Sequence, residues 1–402
     1  MRGGGLRLRI GARESARVTL AAAVATVVAV GTACSSDTPG ASDHGSRGGL
    51  ADTAGRLVIV GGALEADNAP VWQAVLEGRD GEGPVCVIPT ASGSPETAMA
   101  SAVEALDRHG GTGSALGVLI VEGDSARVHD PTSGTTLEAC SGFWFTGGQQ
   151  SRIVETFSPG GASTPALDAI RRRFEGGAVV AGTSAGAAIM SQRMISGGSS
   201  AEALQEGIRA TDEDDGVGIR DGLGFFPTGV VDQHFLARGR IGRLIVAVVE
   251  DPAIEVGFGI DENTAMVVEG PRARVVGASG IVVVDGRRGD SESVVLFLAG
   301  SGDVIDLGTL EVTHEPSKRP LPAGDAPFTD QDILERWAFL EALWTFSTRL
   351  DVGMVAEFGG RVVRLEKGDG FSAVVDTTGA QGPGGVPLGF AAGPVRLEIE
   401  PR

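Results

Sequence analysis

Gly182-Thr183-Ser184-Ala185-Gly186 fits the pattern G-x-S-x-G. It follows the apolar run Ala178-Val179-Val180-Ala181 and precedes an Ala-rich stretch, so it falls between an expected strand and an expected helix. Glycines on both sides let the backbone crowd in at so tight a turn, and the serine Oγ then projects outward as a nucleophile. The N–H of Ala185, opening the helix, can donate to the oxyanion that develops when such a hydroxyl attacks a carbonyl. In a chain with 63 glycines the pattern alone is weak, and its place after a strand is what gives it weight.

A serine nucleophile needs a base. Histidines stand at 44, 109, 129, 234 and 314, and of these only His234 follows an expected strand end, Val230-Val231 with Asp232-Gln233. An acid must orient the imidazolium. Between Ser184 and His234 the chain offers Glu202, Glu206, Asp212, Glu213, Asp214, Asp215 and Asp221, and the residues themselves choose none. Asp212–Asp215 reads most simply as a solvated acidic loop. Arg238, Arg240 and Arg243 follow His234 closely, and on a helix from Gly239 the last two share a face at i, i+3. Guanidinium forks bind carboxylates, so these arginines serve either an acidic group on a substrate or ion pairs with the chain's own acids. No Cys/His spacing suits zinc, and no cofactor motif is present, so neither a metal nor a cofactor is expected.

The elements that must carry these groups are short β-branched runs alternating with Ala/Leu-rich stretches of helical period, which argues for βαβ units. Expected strands are 57–60, 85–88, 118–121, 143–145, 179–181 and 230–231; expected helices include 96–109, 164–174, 185–194 and 239–250. Small or polar residues follow the strands: Gly61-Gly62, Pro89-Thr90-Ala91-Ser92-Gly93, Gly147-Gly148-Gln149-Gln150, Thr183-Ser184 and Asp232-Gln233-His234. The fold class expected is α/β, a parallel sheet flanked by helices whose C-terminal strand ends share one ligand-binding edge. From about 255 apolar runs separated by Gly-rich turns read as appended β-hairpins. A polar, Pro-rich linker at 313–328 leads to a C-terminal α+β extension at 329–402. Its helix, 333–350, is opened by Thr329 or Asp330, with Trp337, Leu340, Leu343 and Trp344 facing the core.

The chain has 402 residues, 42% hydrophobic and 21% charged, which excludes wholesale disorder and a multi-span membrane protein. Its net charge is −19, and Lys318 and Lys367 are its only lysines, so nucleic acid is an unsuitable partner. Arg2, Arg7, Arg9, Arg13 and Arg17 precede an uncharged run from Val18 to Ala33, too short to span a bilayer comfortably, which reads as a signal peptide over 1–33. Val30-Gly31-Thr32-Ala33-Cys34 is lipobox-like, with Gly31 where a larger aliphatic is commoner, so Cys34 is the expected lipidation site and the only link to a membrane. Residues 34–55 suit a flexible tether, and the folded body that follows is expected over 56–312. Loss of the leader's five arginines and one glutamate takes the charge from −19 to −23. Cys86 and Cys140 can pair in an oxidising compartment, but two buried apolar cysteines are the preferred reading. Nothing decides between a monomer and a homodimer.

Five blocks in one order resemble cyanophycinase and its secreted relatives, in the serine peptidase family that also holds aspartyl dipeptidase. They are Phe145-Thr146-Gly147-Gly148, Gly182–Ala188, Val231-Asp232-Gln233-His234-Phe235, Arg238-Gly239-Arg240 with Gly242-Arg243-Leu244, and Gly259-Ile260-Asp261-Glu262-Asn263-Thr264-Ala265. The resemblance spans about 56–310. It implies a fold like the class I glutamine amidotransferases (flavodoxin-like), with Ser at the elbow. It also implies exopeptidase cleavage of cyanophycin, poly-aspartate carrying arginine side chains, into β-Asp-Arg dipeptides through an acyl-enzyme. By resemblance Ser184 is the nucleophile, His234 the base and Glu202 the acid, while Gly147, Gly148 and Ala185 form the oxyanion hole. Gln150, Asp232, Gln233, Arg238, Arg240 and Arg243 would line the substrate pocket, with Asp261 nearby. Gln149, where relatives often carry Asp, and the acidic insert at 212–215 depart from the pattern and leave the substrate open. The alternatives are a dipeptidase for other isoaspartyl or aspartyl peptides and a non-catalytic lipoprotein that captures acidic peptides.

Overall fold

The computed structural model describes residues 55–402 apart from 291–292, 323, 325–332, 350–352, 359–360, 377–380, 388 and 401–402. The expected leader, Cys34 and most of the tether lie outside the described residues.

A first sheet is built on strands β1 (Leu57–Val60), β2 (Val85–Ile88), β3 (Ala115–Gly117), β4 (Gly142–Phe145) and β5 (Val179–Thr183), mutually parallel in the order β1-β5-β4-β2-β3. Their residues, β3 excepted, are almost continuously buried, as strands covered on both faces must be. Their helices are α1 (Ala69–Glu77), α2 (Pro95–Gly110), α3 (Ser125–His129), α4 (Pro131–Glu138), α5 (Gln150–Phe157) and α6 (Pro165–Glu175). Prolines stand in the first turns of α1, α2, α4 and α6, where their missing N–H costs nothing, and Thr164 caps α6 by accepting from Leu167 N.

After β5 comes a single turn, α7 (Ala185–Ala188), rather than the helix expected to 194. The carbonyls of Ile189 and Met190 accept from Leu223 N and Phe226 N, which takes them from a helical ladder. A separate ribbon, β6 (Arg193–Gly197) with β7 (Gly218–Asp221), follows, with α8 (Ser200–Glu206) between its strands.

The remaining strands correct the expectation of one parallel sheet. Strand β8 (Val230–Asp232), which ends just before His234, belongs to a second sheet. There it pairs in parallel with β9 (Val256–Ile260) after the buried helix α9 (Ile241–Glu250). The chain then returns to the first sheet as β10 (Thr264–Glu269), antiparallel to β1, and β11 (Arg272–Gly277). Strands β12 (Gly280–Asp290) and β13 (Ser293–Gly300) go to the second sheet, and β14 (Val304–Asp306) with β15 (Val312–Thr313) to the first.

The C-terminal residues do not stand apart. Strands β16 (Arg319–Pro320), β17 (Gly353–Phe358), β18 (Arg361–Val375) and β19 (Ala391–Glu400) extend the second sheet through the β13–β19 pairing. The expected linker is therefore partly strand, and Lys318 within it is buried 2.7 Å from Asp303. Helix α10 (Ala338–Thr348) starts later than expected, from a left-handed Trp337; Thr329 and Asp330 lie outside the described residues.

One core fills the space between the sheets, with Ile59, Phe145, Phe258 and Val283 among its members. A second lies under α1 and α2, and a third joins α9 and α10 to the outer face of the second sheet. Cys86 and Cys140 form a disulfide, with Cα atoms 5.8 Å apart, which corrects the preferred reading of two separate apolar cysteines. Val85 and Gly142 are partners across β2 and β4, and that pairing brings the two cysteines together. Among the described residues no helix is long and apolar enough to cross a membrane.

Candidate active site

Ser184 sits at the end of β5 with φ 56° and ψ −111°, a conformation a non-glycine residue holds only when its surroundings fix it. Its N–H donates to Val60 O at 3.0 Å, tying the turn to the end of β1. A Cβ on Gly182 would collide with the Gly186 backbone, and one on Gly186 with the carbonyl of Phe145. Both glycines of the motif are thus required by close backbone approach.

His234 reaches Ser184 from the second sheet. It lies two residues beyond β8, at φ 48°, and donates its N–H to Gly61 O, which locks it to the loop after β1. Gly62 lies directly beneath the imidazole, where any Cβ would strike the ring. Nε2 stands 2.9 Å from Ser184 Oγ. The residues expected to serve as nucleophile and base are therefore in hydrogen-bonding contact.

The carboxylate on the far side of the ring is not Glu202. Nδ1 of His234 lies 2.7 Å from Oε1 of Glu262. Glu202 is an exposed first-turn residue of α8, in a reciprocal capping box with Ser199. The Ser199 backbone and hydroxyl donors hold its carboxyl below the usual range. Glu206 closes the same helix, and Asp212 pairs with Arg209 and Arg220. Asp232 faces Gly259 in the β8–β9 register, so the residues just past the two strand ends are neighbours, and this delivers Glu262 to His234. The acid follows the histidine in chain order and so lies outside the stretch between Ser184 and His234. The useful signal was an Asp-Glu pair at the end of a strand parallel to the one that carries His234.

Burial pushes His234 below its ordinary value. The hydrogen bond to Glu262 opposes this, and the positive charges of Arg238 and Arg240 add to it. The imidazole is thereby kept neutral and able to accept a proton, with Nδ1–H toward Glu262 and Nε2 toward Ser184 as the hydrogen-bond network assigns it.

Gly147 lies beside the serine: a Cβ there would stand 3.3 Å from Ser184 Cβ and 3.9 Å from its Oγ. Gly148 has φ 143°, and a Cβ on it would overlap Ala91 O. Among the described residues nothing accepts a hydrogen bond from the amides of Gly147, Gly148 or Ala185.

The expected substrate residues divide. Gln233 Oε1 lies 3.5 Å from Ser184 Oγ and accepts from Arg240 Nη1 at 2.8 Å. Burial lowers Arg240 to about 10, so it remains a cation at neutral pH. Arg238 is half exposed, with Nε 3.8 Å from Glu262. These three residues border Ser184 and its relay. Arg243 and Asp232 do not open to the site: they form a buried bidentate pair at 2.8 and 2.5 Å, and Arg243 Nη1 also donates to Gly198 O. Helix α9 begins at Ile241, so Arg240 is its N-cap residue and not a helical neighbour of Arg243. Asp261, fully buried, accepts from Ala237 N and Ser279 Oγ, and burial raises its carboxyl. Gln150 is buried at the start of α5 and donates to Ile195 O at 2.9 Å. Among the described residues no group of three His, Cys, Asp or Glu side chains is placed to hold a metal ion.

The chain is also similar to known proteins. The profile of Peptidase family S51 matches residues 57–276. The cyanophycinase of Trichormus variabilis (strain ATCC 29413 / PCC 7937) is 34% identical over 233 residues, covering 57% of this chain and 73% of that protein. The cyanophycinase of Synechococcus elongatus is 32% identical over 251 residues, covering 58% and 73%. Among solved structures, a peptidase from an acI-B1 actinobacterium overlaps with a TM-score of 0.45 at 19% identity, covering 59% of this chain and 93% of that one.

Proposed function

Because this chain belongs to Peptidase family S51 and is a serine-type peptidase, we propose that it is an exopeptidase of cyanophycinase type, acting through an acyl-enzyme on Ser184. The observation that carries this reading is the continuous relay from Ser184 Oγ through His234 to Glu262, at 2.9 and 2.7 Å.

In the first half-reaction Ser184 Oγ bonds to the scissile carbonyl carbon while Nε2 of His234 takes its proton. Negative charge gathers on the carbonyl oxygen, and the amides of Gly147, Gly148 and Ala185 receive it. Glu262 holds the Nδ1–H tautomer and stabilises the imidazolium. His234 then returns the proton to the departing amine as the C–N bond breaks, leaving the ester. Water repeats the sequence on the ester and restores the serine.

The substrate chemistry is read from the cations. Arg238 and Arg240 set positive charge beside Ser184 in a chain of net charge −19, which favours a carboxylate next to the scissile bond. Cyanophycin presents such carboxylates, and the named relatives are cyanophycinases. Incubation of the protein with cyanophycin should release β-Asp-Arg dipeptides, and Ser184→Ala should release none. Equal release by both would overturn the assignment. Cleavage of isoaspartyl dipeptides with cyanophycin left intact would move the substrate to the related dipeptidase class.

Export with a lipidated Cys34 accompanies this reading. It is supported by the basic, apolar leader and by the Cys86–Cys140 disulfide, a bond of oxidising compartments. Mass spectrometry of the mature N-terminus decides it.

A further inference from the structure

Asp261 is a fully buried carboxylate that the reaction above does not use. It lies just past the end of β9 and directly precedes Glu262, the acid of the relay. Burial favours its protonated form, and the donors of Ala237, Ser279 and Glu262 oppose this. A carboxylate is costly to bury unless its oxygens are hydrogen-bonded, so its place here is set by what it binds.

Its partners lie in the segments that carry the relay. Oδ1 accepts from Ala237 N at 2.8 Å. Ala237 is the middle residue of the short turn Leu236–Arg238, and Arg238 N closes that turn onto His234 O at 3.1 Å. Oδ2 accepts from Ser279 Oγ at 2.7 Å, in the connection from β11 to β12. Ser279 N in turn donates to Thr264 Oγ1 at 2.8 Å, and that hydroxyl donates to Glu262 O at 3.0 Å. Just upstream, Phe235 N donates to Ile260 O at 3.2 Å, so Asp261 is the side chain that continues this seam to the acid. An apolar residue would fill the space but leave Ala237 N–H and the Ser279 hydroxyl without an acceptor.

The geometry points to Asp261 as a positioning residue: its carboxylate ties the turn after His234 to the segment that bears Glu262, and so fixes the approach of Oε1 to Nδ1. This rests on the relay as the catalytic unit and deepens that reading by naming what holds base and acid at their 2.7 Å contact.

The charged groups that face His234 are Glu262, Arg238 and Arg240. Burial lowers its basicity most, the two arginines add to this, and the contact with Glu262 opposes both. Loosening that contact should slow proton removal from Ser184 and make His234 a weaker base. Both are read on the full chain with a fluorophosphonate probe, which needs no peptide. Ser184 Oγ bonds to phosphorus, fluoride leaves, and Nε2 of His234 takes the hydroxyl proton.

Asp261→Asn, which keeps the shape and removes the charge, should slow labelling about tenfold and move the acid limb of its pH profile downward. A merely structural role would lower Tm and leave the limb in place. Ser279→Ala, which removes one donor and leaves the carboxylate, should shift both readings in the same direction by less. It carries the test if Asp261→Asn does not fold. A limb left in place in the folded variants, whatever the rate, would overturn the positioning role and leave the relay intact. A native chain whose Ser184 is not labelled at all would remove the acyl-enzyme reading and this inference with it. The two failures are therefore told apart.

Discussion

Glu262 follows His234 by 28 residues, yet its Oε1 lies 2.7 Å from the histidine's Nδ1. The cause is a register. Strands β8 and β9 run in parallel with Asp232 opposite Gly259, so the chain emerges from both strands at the same level. The nucleophile comes from the other sheet, at the end of β5, and the segment after Glu262 crosses back to that sheet as β10. The relay therefore bridges two sheets, and it is pinned on the first by Ser184 N to Val60 O and by His234 N to Gly61 O.

Replacing Glu262 and Glu202 in turn separates the two acids. Glu262→Gln should lower kcat by roughly 10³–10⁴, because the imidazole loses its orientation and its counter-charge. Glu202→Gln should leave kcat within about twofold and lower Tm by only about 1–3 °C, the scale of a helix-capping contact at an exposed position. A catalytic loss confined to Glu202→Gln would restore the assignment read from sequence.

The proton-accepting form of His234 should persist to lower pH than an ordinary histidine allows, since burial holds its value below 6.5. The acid limb of kcat/KM should then lie below that pH. Arg238 contributes to the lowering, so Arg238→Ala should move the limb upward. Stability has the same sign. The unfolded chain takes the proton first, so the stability contributed by the neutral imidazole is complete above pH 6.5 and is lost as pH falls through the lowered folded value. A limb that stays in place in Arg238→Ala would remove that charge from the account.

Much of this was legible in the chain because it rests on local signals. The ranges of β1 and β2 follow from buried β-branched runs, and the elbow at Ser184 follows from two glycines that close backbone approach demands. The allocation of strands to sheets was not legible. Val230-Val231 reads like any other short apolar run, and nothing local says that it pairs with β9 instead of joining the first sheet. The same limit hid Glu262, whose partner is set by a pairing between strands about 25 residues apart. It also hid the role of Arg243, whose fork is occupied by Asp232, eleven residues earlier in sequence. The packing of the tail was hidden for a related reason, since β19 takes its place through β13, far upstream.

The disulfide closes a loop of 54 residues between Cys86 and Cys140. In the chain-entropy account that constraint is worth about 4 kcal/mol. Reduction, or the Cys86→Ala/Cys140→Ala pair, should lower Tm by about 5–8 °C. Thiol titration of these two cysteines in the native protein should give no signal without reductant. A reducible signal with no change in melting would mean that the bond constrains little.

Asp232 and Arg243 supply the sharpest contrast between a binding role and a structural one. Both side chains are almost wholly buried, and the guanidinium is occupied on both edges, by Asp232 and by Gly198 O. Removing one partner strands a buried charge at a cost of about 3–5 kcal/mol. Asp232→Asn should therefore lower Tm by about 4–8 °C. Arg243→Lys, which keeps the charge but not the fork, should fall between that variant and the native chain. Had Arg243 been spent on a substrate carboxylate, its replacement would raise KM by about 10² or more at constant Tm. Measuring Tm and KM on the same two variants decides which role it has, and a KM effect without a melting effect would place Arg243 back in the substrate pocket.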